Sequence, residues 1–209
     1  MNYLAHLYLA DANPESLIGN LMGDFAKGPI DQHLSPAIRQ GIALHRKIDV
    51  FTNVHPLFTR SRQRIRPPFH RYSGILVDIF YDHLLARDWA QYSPLSLVCF
   101  SRTVYRILIA HYDNLPPLMR RSVSYIIAND LLLSYREVAG IERALRGIEG
   151  RLKRPSRLGE AVAELSDNYA SLATDFAAFF PELTAYVFQE KALLAGPVHR
   201  EPWRQSVAE

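Results

Sequence analysis

The sequence predicts an all-α fold, built as a single-domain helical bundle. Apolar residues recur with the period of a helix over most of the 209-residue chain. Asn or Ser stands directly before Pro at several places, which is the pattern of a helix cap followed by the first helical residue. No segment of the sequence alternates apolar and polar residues as a half-buried strand does. We expect one helical domain over residues 1–195 and a flexible polar tail over residues 196–209.

The boundaries of the predicted helices follow from these caps and from other prolines. Three cap-and-proline pairs should each begin a helix: Asn13-Pro14, Ser35-Pro36 and Ser93-Pro94. Gly28-Pro29 should close the first of these helices and Pro56 the second, because proline interrupts a helix. Pro116-Pro117 marks a further boundary. The remaining helical segments are predicted at residues 72–91, 118–148 and 157–194, the last of them broken near Pro181.

Composition places the chain among globular proteins and favours a cytoplasmic location. The single cysteine, Cys99, excludes an internal disulfide, as expected in a reducing compartment. The first residues lack the basic and apolar regions of a signal peptide, and no segment has the roughly 18 apolar residues that a membrane span needs. The sequence also lacks a Gly-rich phosphate loop, a G-x-S-x-G elbow and a CxxC pair, which argues against the chemistries that depend on them.

Positive charge is concentrated in two parts of a chain whose formal net charge is +3. The first group lies in residues 60–71, a segment without an acidic residue, and comprises Arg60, Arg62, Arg64, Arg66 and Arg71. The second group comprises Arg143, Arg146, Arg151, Lys153, Arg154 and Arg157. Such groups attract nucleic acid, acidic proteins or phosphorylated small molecules, and charge alone does not separate these partners.

Polar residues interrupt the apolar face of the helix predicted over residues 36–54. His45 and Asp49 fall on the same face as Ile42, within about 60° of one another. Burying a carboxylate without a partner is costly, so Asp49 should be paired with a cationic group or a metal ion. A lone core histidine and a lone buried carboxylate would also have ordinary structural explanations, as a hydrogen-bonded residue and an ion pair.

The helix predicted over residues 72–91 repeats this pattern. Asp78 and Asp82 share a face with Ile75, and His83 points to the edge of that face. Two carboxylates on one apolar face repel each other, and a divalent cation would relieve that repulsion.

A third group of polar residues lies near the N-terminus. His6 stands among leucines, and Asp24 directly follows Gly23. Gly19 and Gly23 weaken a helix unless another backbone or a ligand must come close to it. One metal centre explains all of these His and Asp residues better than separate structural roles do. A His and Asp ligand set without Cys suits Mn²⁺, Mg²⁺ or Fe better than a structural zinc. The histidines expected at the surface, in loops or in packing are His55, His70 and His111.

Four segments in order resemble the acyl carrier protein phosphodiesterase family: NYLAHLYLA, SLIGNLMGDFAKG, GIALHRKIDVFTNVHP and VDIFYDHLLARDW. This family is regarded as a divergent branch of the HD-type metal-dependent phosphohydrolases, which are all-helical and bind metal through His and Asp. The resemblance implies an HD-phosphohydrolase-like bundle that removes 4'-phosphopantetheine from holo acyl carrier protein. HD proteins place His directly before Asp, whereas three residues separate His45 from Asp49 here and Asp82-His83 has the reverse order. The direct ligands therefore stay open within one set: His45, Asp49, Asp78, His6, Asp82 and His83.

The resemblance also implies roles for residues beside the metal. Asp24 would orient water or act as a general base, while Arg46 and Arg71 would hold phosphate oxygens. The acidic carrier protein would dock on the first arginine group, with Arg62 and Arg66 as the residues to test.

Two other interpretations stay open at this point. The first is an HD-type hydrolase of a small nucleotide, which would have a closed pocket. The second is a metal-free helical adaptor for an acidic partner, in which Asp49, Asp78 and Asp82 would each pair with Arg or Lys. Nucleic acid is the less expected partner.

Overall fold

The computed structural model describes residues 1–152 and 156–195, and within these ranges it is all-α. The α-helices are α1 (Tyr3–Leu9), α2 (Pro14–Met22), α3 (Pro36–Val54), α4 (Pro56–Gln63), α5 (Ser73–Arg87), α6 (Leu97–Ala110), α7 (Pro117–Ala128), α8 (Leu131–Ser134), α9 (Val138–Glu149), α10 (Val162–Asp167) and α11 (Tyr169–Ala195). Short 3₁₀ helices occupy His70–Tyr72, Trp89–Gln91, Tyr112–Asn114 and Leu158–Ala161. The all-α prediction is confirmed. The predicted tail, together with Lys153 and Arg154, lies outside the described residues.

Two of the three predicted helix starts are confirmed by their cap geometry. The side chain of Asn13 accepts the N–H of Ser16, and that of Ser35 accepts the N–H of Ile38. The third start is wrong by three residues, because the Ser96 side chain caps α6 by accepting the N–H of Cys99. Ser93 accepts the N–H of Leu95 and makes a turn instead.

Prolines proved poorer guides to helix ends than to helix starts. Pro56 does follow the end of α3, but it also begins α4. The first helix ends at Met22, well before Gly28-Pro29, because two turn hydrogen bonds converge on the Met22 carbonyl. The predicted break near Pro181 is wrong, since α11 continues through it. Pro181 and Ala177 are both exposed, so water can satisfy the carbonyl that loses its helical partner.

The helix predicted over residues 118–148 is divided into α7, α8 and α9. The chain turns at Asp130, whose φ of 44° places it in the left-handed region. This conformation ends one helix and redirects the next, and aspartate adopts it more readily than most residues.

The core forms where α11 packs on α3, α4 and α5. Aromatic side chains fill it, among them Phe58, Tyr81, Phe176 and Phe179. Helix α5 is buried on nearly all sides, so the single apolar face predicted for it does not exist. No helix in the described part of the chain combines the length and apolar character of a membrane span.

Helices α2 and α3 form the most extensive helix pair, and a glycine permits their approach. A Cβ on Gly19 would lie only 2.2 Å from the carbonyl oxygen of Ile38. Close contact of the two backbones brings residues at the end of α2 next to the middle of α3.

Helix α1 is held by a side chain from α5. Its own N-cap residue, Asn2, makes no side-chain cap hydrogen bond. Both carboxylate oxygens of Asp82 take this place, accepting the N–H of Leu4 at 2.7 Å and the N–H of Ala5 at 3.1 Å. A carboxylate at a helix N-terminus also interacts favourably with the helix dipole. Asp82 therefore fixes the position of α1, and with it the position of His6.

Candidate functional site

Three predicted residues from two helices meet in one cluster: His6 of α1 with His45 and Asp49 of α3. Their potential ligand atoms all lie within 4.8 Å of one another. The Nε2 of His6 is 3.1 Å from Asp49 Oδ1, and the Nε2 of His45 is 3.2 Å from Asp49 Oδ2. The two imidazole rings stack, with centroids 4.0 Å apart. Two imidazole nitrogens and a carboxylate thus point into one small volume.

The orientation of the His6 ring is fixed by Asn20 of α2. The Nδ1 of His6 is 3.1 Å from the Asn20 side-chain oxygen, and both residues are buried. With the Asn20 oxygen in this position, the Nδ1 of His6 carries the proton, because an amide oxygen can only accept. The neutral ring then directs the Nε2 lone pair at Asp49 Oδ1. Two acceptor atoms in contact repel each other unless a cation lies between them.

Protonation of His6 is an unfavourable way to remove this repulsion. Burial lowers the pKa of His6 to about 4, and the nearby His45 ring opposes protonation as well. Burial alone would raise the pKa of Asp49, but the His45 imidazole and the Met1 amino group help to hold that pKa well below its usual range. Asp49 therefore stays ionised, and the cluster offers a carboxylate and imidazole nitrogens to a metal ion.

Gly23 explains how the end of α2 can lie against His45. A Cβ at this position would be 2.2 Å from the Cγ atom of the His45 ring. Because Gly23 has no side chain, the His45 ring can lie against its Cα atom. The prediction that another group comes close to Gly19 and Gly23 is therefore confirmed, with the Ile38 backbone beside Gly19 and the His45 ring beside Gly23. The ring is 3% exposed, and its Nδ1 has no hydrogen-bond partner in the described residues.

Asp24 follows this glycine and stands at the open side of the cluster. Its Oδ1 lies 3.6 Å from His45 Nε2. Although 45% of the side chain is exposed, desolvation by the surrounding protein raises the pKa of Asp24. Asp24, Lys27, His45, Arg46 and Asp49 line a cavity of about 350 Å³.

Arg46 supports the wall of this cavity. One guanidinium nitrogen donates to the carbonyls of Ala26 and Gly28, both at 2.8 Å. The loop after Asp24 is therefore tied to α3. Arg46 lines the cavity, and its binding of phosphate oxygens stays a prediction. Two residues were missed by sequence reasoning, namely Asn20 and Lys27. The spacing of four residues between Asn20 and Asp24 could have indicated the first of these, and no pattern indicated the second.

The other predicted ligands lie at or beyond the edge of the cluster. Asp78 is ion-paired with the amino group of Met1 at 2.7 Å, and that group is 3.9 Å from Asp49 Oδ1. Asp82 uses both oxygens to cap α1. His83 is within hydrogen-bond distance of the Tyr135 carbonyl and the Tyr169 hydroxyl. Neither Asp82 nor His83 belongs to the described His/Asp cluster.

The remaining histidines have the surroundings expected of them. His55 caps α4 and packs on Phe179, His70 is exposed, and His111 ends α6.

The arginines predicted to bind substrate are scattered. Arg71 stacks over the Tyr72 ring with its guanidinium carbon 4.6 Å from the ring centroid, and it does not line the cluster's cavity. Arg62 donates weakly to Ser73 at 3.4 Å. Arg66 forms ion pairs with Glu164 at 2.9 Å and with Asp167 at 2.6 Å.

Comparison with known proteins gives a consistent result. The family model described as acyl carrier protein phosphodiesterase matches residues 1–183. A protein of that name from Serratia proteamaculans is 35% identical over 184 residues, which cover 88% of this chain and 95% of the relative. Proteins of the same name from Escherichia coli O157:H7 and Shigella boydii serotype 4 are 33% and 32% identical, with coverage of 88% of this chain and 96% of each relative. No solved structure matches the chain.

Proposed function

The chain belongs to the acyl carrier protein phosphodiesterase family, and we propose that it performs its hydrolysis with a divalent metal held by His6, His45 and Asp49. The substrate is the phosphodiester that joins 4'-phosphopantetheine to a serine of holo acyl carrier protein. Hydrolysis releases 4'-phosphopantetheine and leaves the apo carrier protein with a free serine hydroxyl.

The contact between His6 Nε2 and Asp49 Oδ1 carries the metal part of this proposal. Two acceptor atoms lie 3.1 Å apart, and His6 is held unprotonated by burial. A cation bound by both atoms would turn this repulsion into attraction. Imidazole suits iron and a carboxylate suits Mn²⁺, whereas Mg²⁺ prefers a site made of oxygen ligands, so this mixed donor set favours Fe²⁺ or Mn²⁺.

A divalent ion in this position would supply Lewis acidity, which stabilises negative charge on phosphoryl oxygens and makes water more acidic. The protein contributes the proton transfer and the placement of the substrate. Asp24 stands beside the cluster, facing its cavity, where its carboxylate can accept a proton from the attacking water. The water oxygen bonds to phosphorus, the bond from phosphorus to the serine oxygen breaks, and that oxygen takes up a proton from solvent. Lys27 and Arg46 line the same cavity and offset the negative charge of the phosphodiester.

The adaptor interpretation finds no support in the surroundings of its three aspartates. It requires each of them to pair with Arg or Lys. Within the described residues, Asp49 contacts two histidines, Asp78 contacts the Met1 amino group and Asp82 accepts backbone N–H groups.

The test is mass analysis of holo carrier protein after incubation with the purified protein. With Mn²⁺ present, we expect conversion to the apo mass, and excess chelator should prevent it. Conversion at full rate in chelator, by protein that contains no metal, would overturn the metal proposal while leaving the reaction itself established. An unchanged carrier mass with every divalent metal tried would overturn the function.

A further inference from the structure

Three of the five arginines in the first group are ion-paired within the protein. Arg60 and Arg64 are paired with Asp175 of α11, a carboxylate that is 1% exposed. Arg66 pairs with Glu164 and Asp167, and its backbone N–H also donates to Glu164. These three arginines compensate Asp175, Glu164 and Asp167, the first two of which are buried. Arg62 and Arg71 have no carboxylate partner among the described residues.

Unpaired positive charge also lies beside a groove between α7 and the end of α9. This groove has a volume of about 610 Å³. Arg121 and Arg151 line it, both are exposed, and neither has a carboxylate partner among the described residues. Arg146 lines it as well but is bound to Glu142 at 2.7 Å.

Apolar side chains alternate with these charges in the groove. On α7, Leu118, Arg121 and Tyr125 follow one face of the helix at spacings of three and four residues. Leu118 is 66% exposed, so its apolar surface is available to a partner. Phe25 contributes a second apolar side chain to the lining of the groove. Apolar contacts bordered by two free cations suit a partner surface that combines acidic residues with a few apolar ones.

The groove opens next to the metal cluster. Phe25 lines the groove, and Asp24, the residue before it in the chain, lines the cavity of the His6–His45–Asp49 cluster. Adjacent residues therefore belong to the two cavities. A protein lying in the groove would therefore present its surface close to the proposed general base.

We propose that the groove lined by Phe25, Leu118, Arg121, Tyr125 and Arg151 is the docking site for the acidic carrier protein. This inference rests on the proposed function and names where its protein substrate binds. Arg121 and Arg151 attract the acidic face, and Leu118 and Phe25 supply the apolar contact. The attached phosphodiester then reaches Asp24 and the His6–His45–Asp49 cluster.

Charge reversal at two positions tests the docking site. Arg121→Glu and Arg151→Glu should each weaken binding of apo carrier protein about tenfold at low salt, with a smaller effect at high salt. Apo carrier protein has no phosphodiester, so this titration reports docking without catalysis. For holo carrier protein, KM should rise while kcat changes little, and the kinetics of a small aryl phosphodiester should be unchanged. Arg102→Glu is the matched control, since Arg102 is exposed on α6 and does not line the groove.

Several results would overturn this assignment. Variants that bind apo carrier protein as tightly as the wild type would show that docking lies elsewhere, and Arg62→Glu is then the next variant to measure. Equal losses on the carrier protein and on the small phosphodiester would place the arginines in the active site or in the fold. A short RNA that displaces carrier protein from the wild type, but does not bind the Arg121→Glu or Arg151→Glu variants, would identify the groove as a nucleic-acid site instead. If the wild-type protein does not cleave holo carrier protein at all, the proposed function is wrong. If that protein still binds apo carrier protein and the two charge reversals weaken the binding, the docking site stands even though the proposed function does not.

Discussion

The imidazole rings of His6 and His45 stack face to face, with their planes inclined by only 21°. Two protonated imidazoles could not stack in this way, because their charges would repel each other. This arrangement directs the Nε2 atoms of both rings to Asp49, as the proposed cation site requires.

We expect His6→Ala, His45→Ala and Asp49→Ala each to lower Mn²⁺ affinity by more than about 100-fold. Loss of a residue that only hydrogen-bonds a metal ligand lowers metal affinity about 10- to 100-fold, and loss of a ligand itself should exceed that. Activity should be lost in parallel. Calorimetric titration with Mn²⁺ measures the affinity directly. His83→Ala is the control, because His83 is equally buried but bonds Tyr135 and Tyr169. That variant should lose stability and keep its metal, and loss of metal in it would widen the ligand set.

Removal of the metal should lower stability as well as activity. A ligand that binds only the folded state stabilises it by about 2.7 kcal/mol when present at 100 times its Kd. The melting temperature of chelator-treated protein should therefore rise with added Mn²⁺ and respond less to Mg²⁺. The same titration of His45→Ala serves as the control, and an equal rise in that variant would contradict binding at this cluster.

Asn20→Leu should reduce Mn²⁺ affinity about 10- to 100-fold, although Asn20 is not a ligand. The substitution keeps the volume but removes the oxygen that fixes the proton on His6 Nδ1. The ring can then present either nitrogen to Asp49. Asn20→Asp restores an acceptor, and we expect it to recover much of the affinity. If both variants bind Mn²⁺ like the wild type, Asn20 has only a packing role.

Asp24→Asn should slow hydrolysis by about 10²–10⁴-fold, the usual contribution of a general base. The amide has nearly the same size, so Mn²⁺ affinity should change little. Steady-state kinetics on a small phosphodiester, combined with the Mn²⁺ titration, separates the two effects. A large loss of affinity would make Asp24 a fourth ligand rather than a base.

Asp82→Asn should destabilise the fold by about 1–3 kcal/mol, because one of two buried N–H groups of α1 loses its acceptor. Burial raises the pKa of Asp82 to about 7, and the charge of Asp78 adds to this rise. The N–H groups of Leu4 and Ala5 and the Met1 amino group act in the opposite direction and lower the pKa. The folded protein thus binds a proton that the unfolded chain releases near pH 4, so this contribution to stability falls as pH rises from about 4 to about 7.

Urea unfolding at about pH 5 and about pH 8 checks both parts of this prediction. The difference between the wild type and Asp82→Asn should be larger at the lower pH. A difference that grows with pH would show that the N–H groups, and not burial, control the carboxylate.

The success of sequence reasoning depended on whether a helix has a single buried face. Helix α3 is amphipathic, so the helical periodicity of the sequence placed His45 and Asp49 on the same face, where the structure also has them. Helix α5 is central and buried almost all round, so the same wheel could not tell Asp82, which caps another helix, from a ligand.

Charge patterns were less informative because ion pairs form between distant parts of the chain. The partners of Arg60 and Arg66 are Asp175 and Glu164, which belong to the last two helices. No local pattern reveals such pairing, so the sequence alone could not show that three of these arginines already have partners within the protein. His6 is the opposite case: its position beside α3 follows from a cap supplied by Asp82, which periodicity cannot show.

The cap on α1 also sets an order of events during synthesis. The chain leaves the ribosome from its N-terminus, so His6, His45 and Asp49 emerge before Asp82 does. A seven-residue helix is too short to be stable alone, and α1 lacks a side-chain cap of its own. Until α5 has emerged and packed, α1 lacks the cap that fixes its N-terminus, and Asn20 of α2 is left to hold His6. The nascent chain therefore carries His6, His45 and Asp49 before it can hold them in their final arrangement, and a metal ion at this cluster would have to bind after α5 has packed.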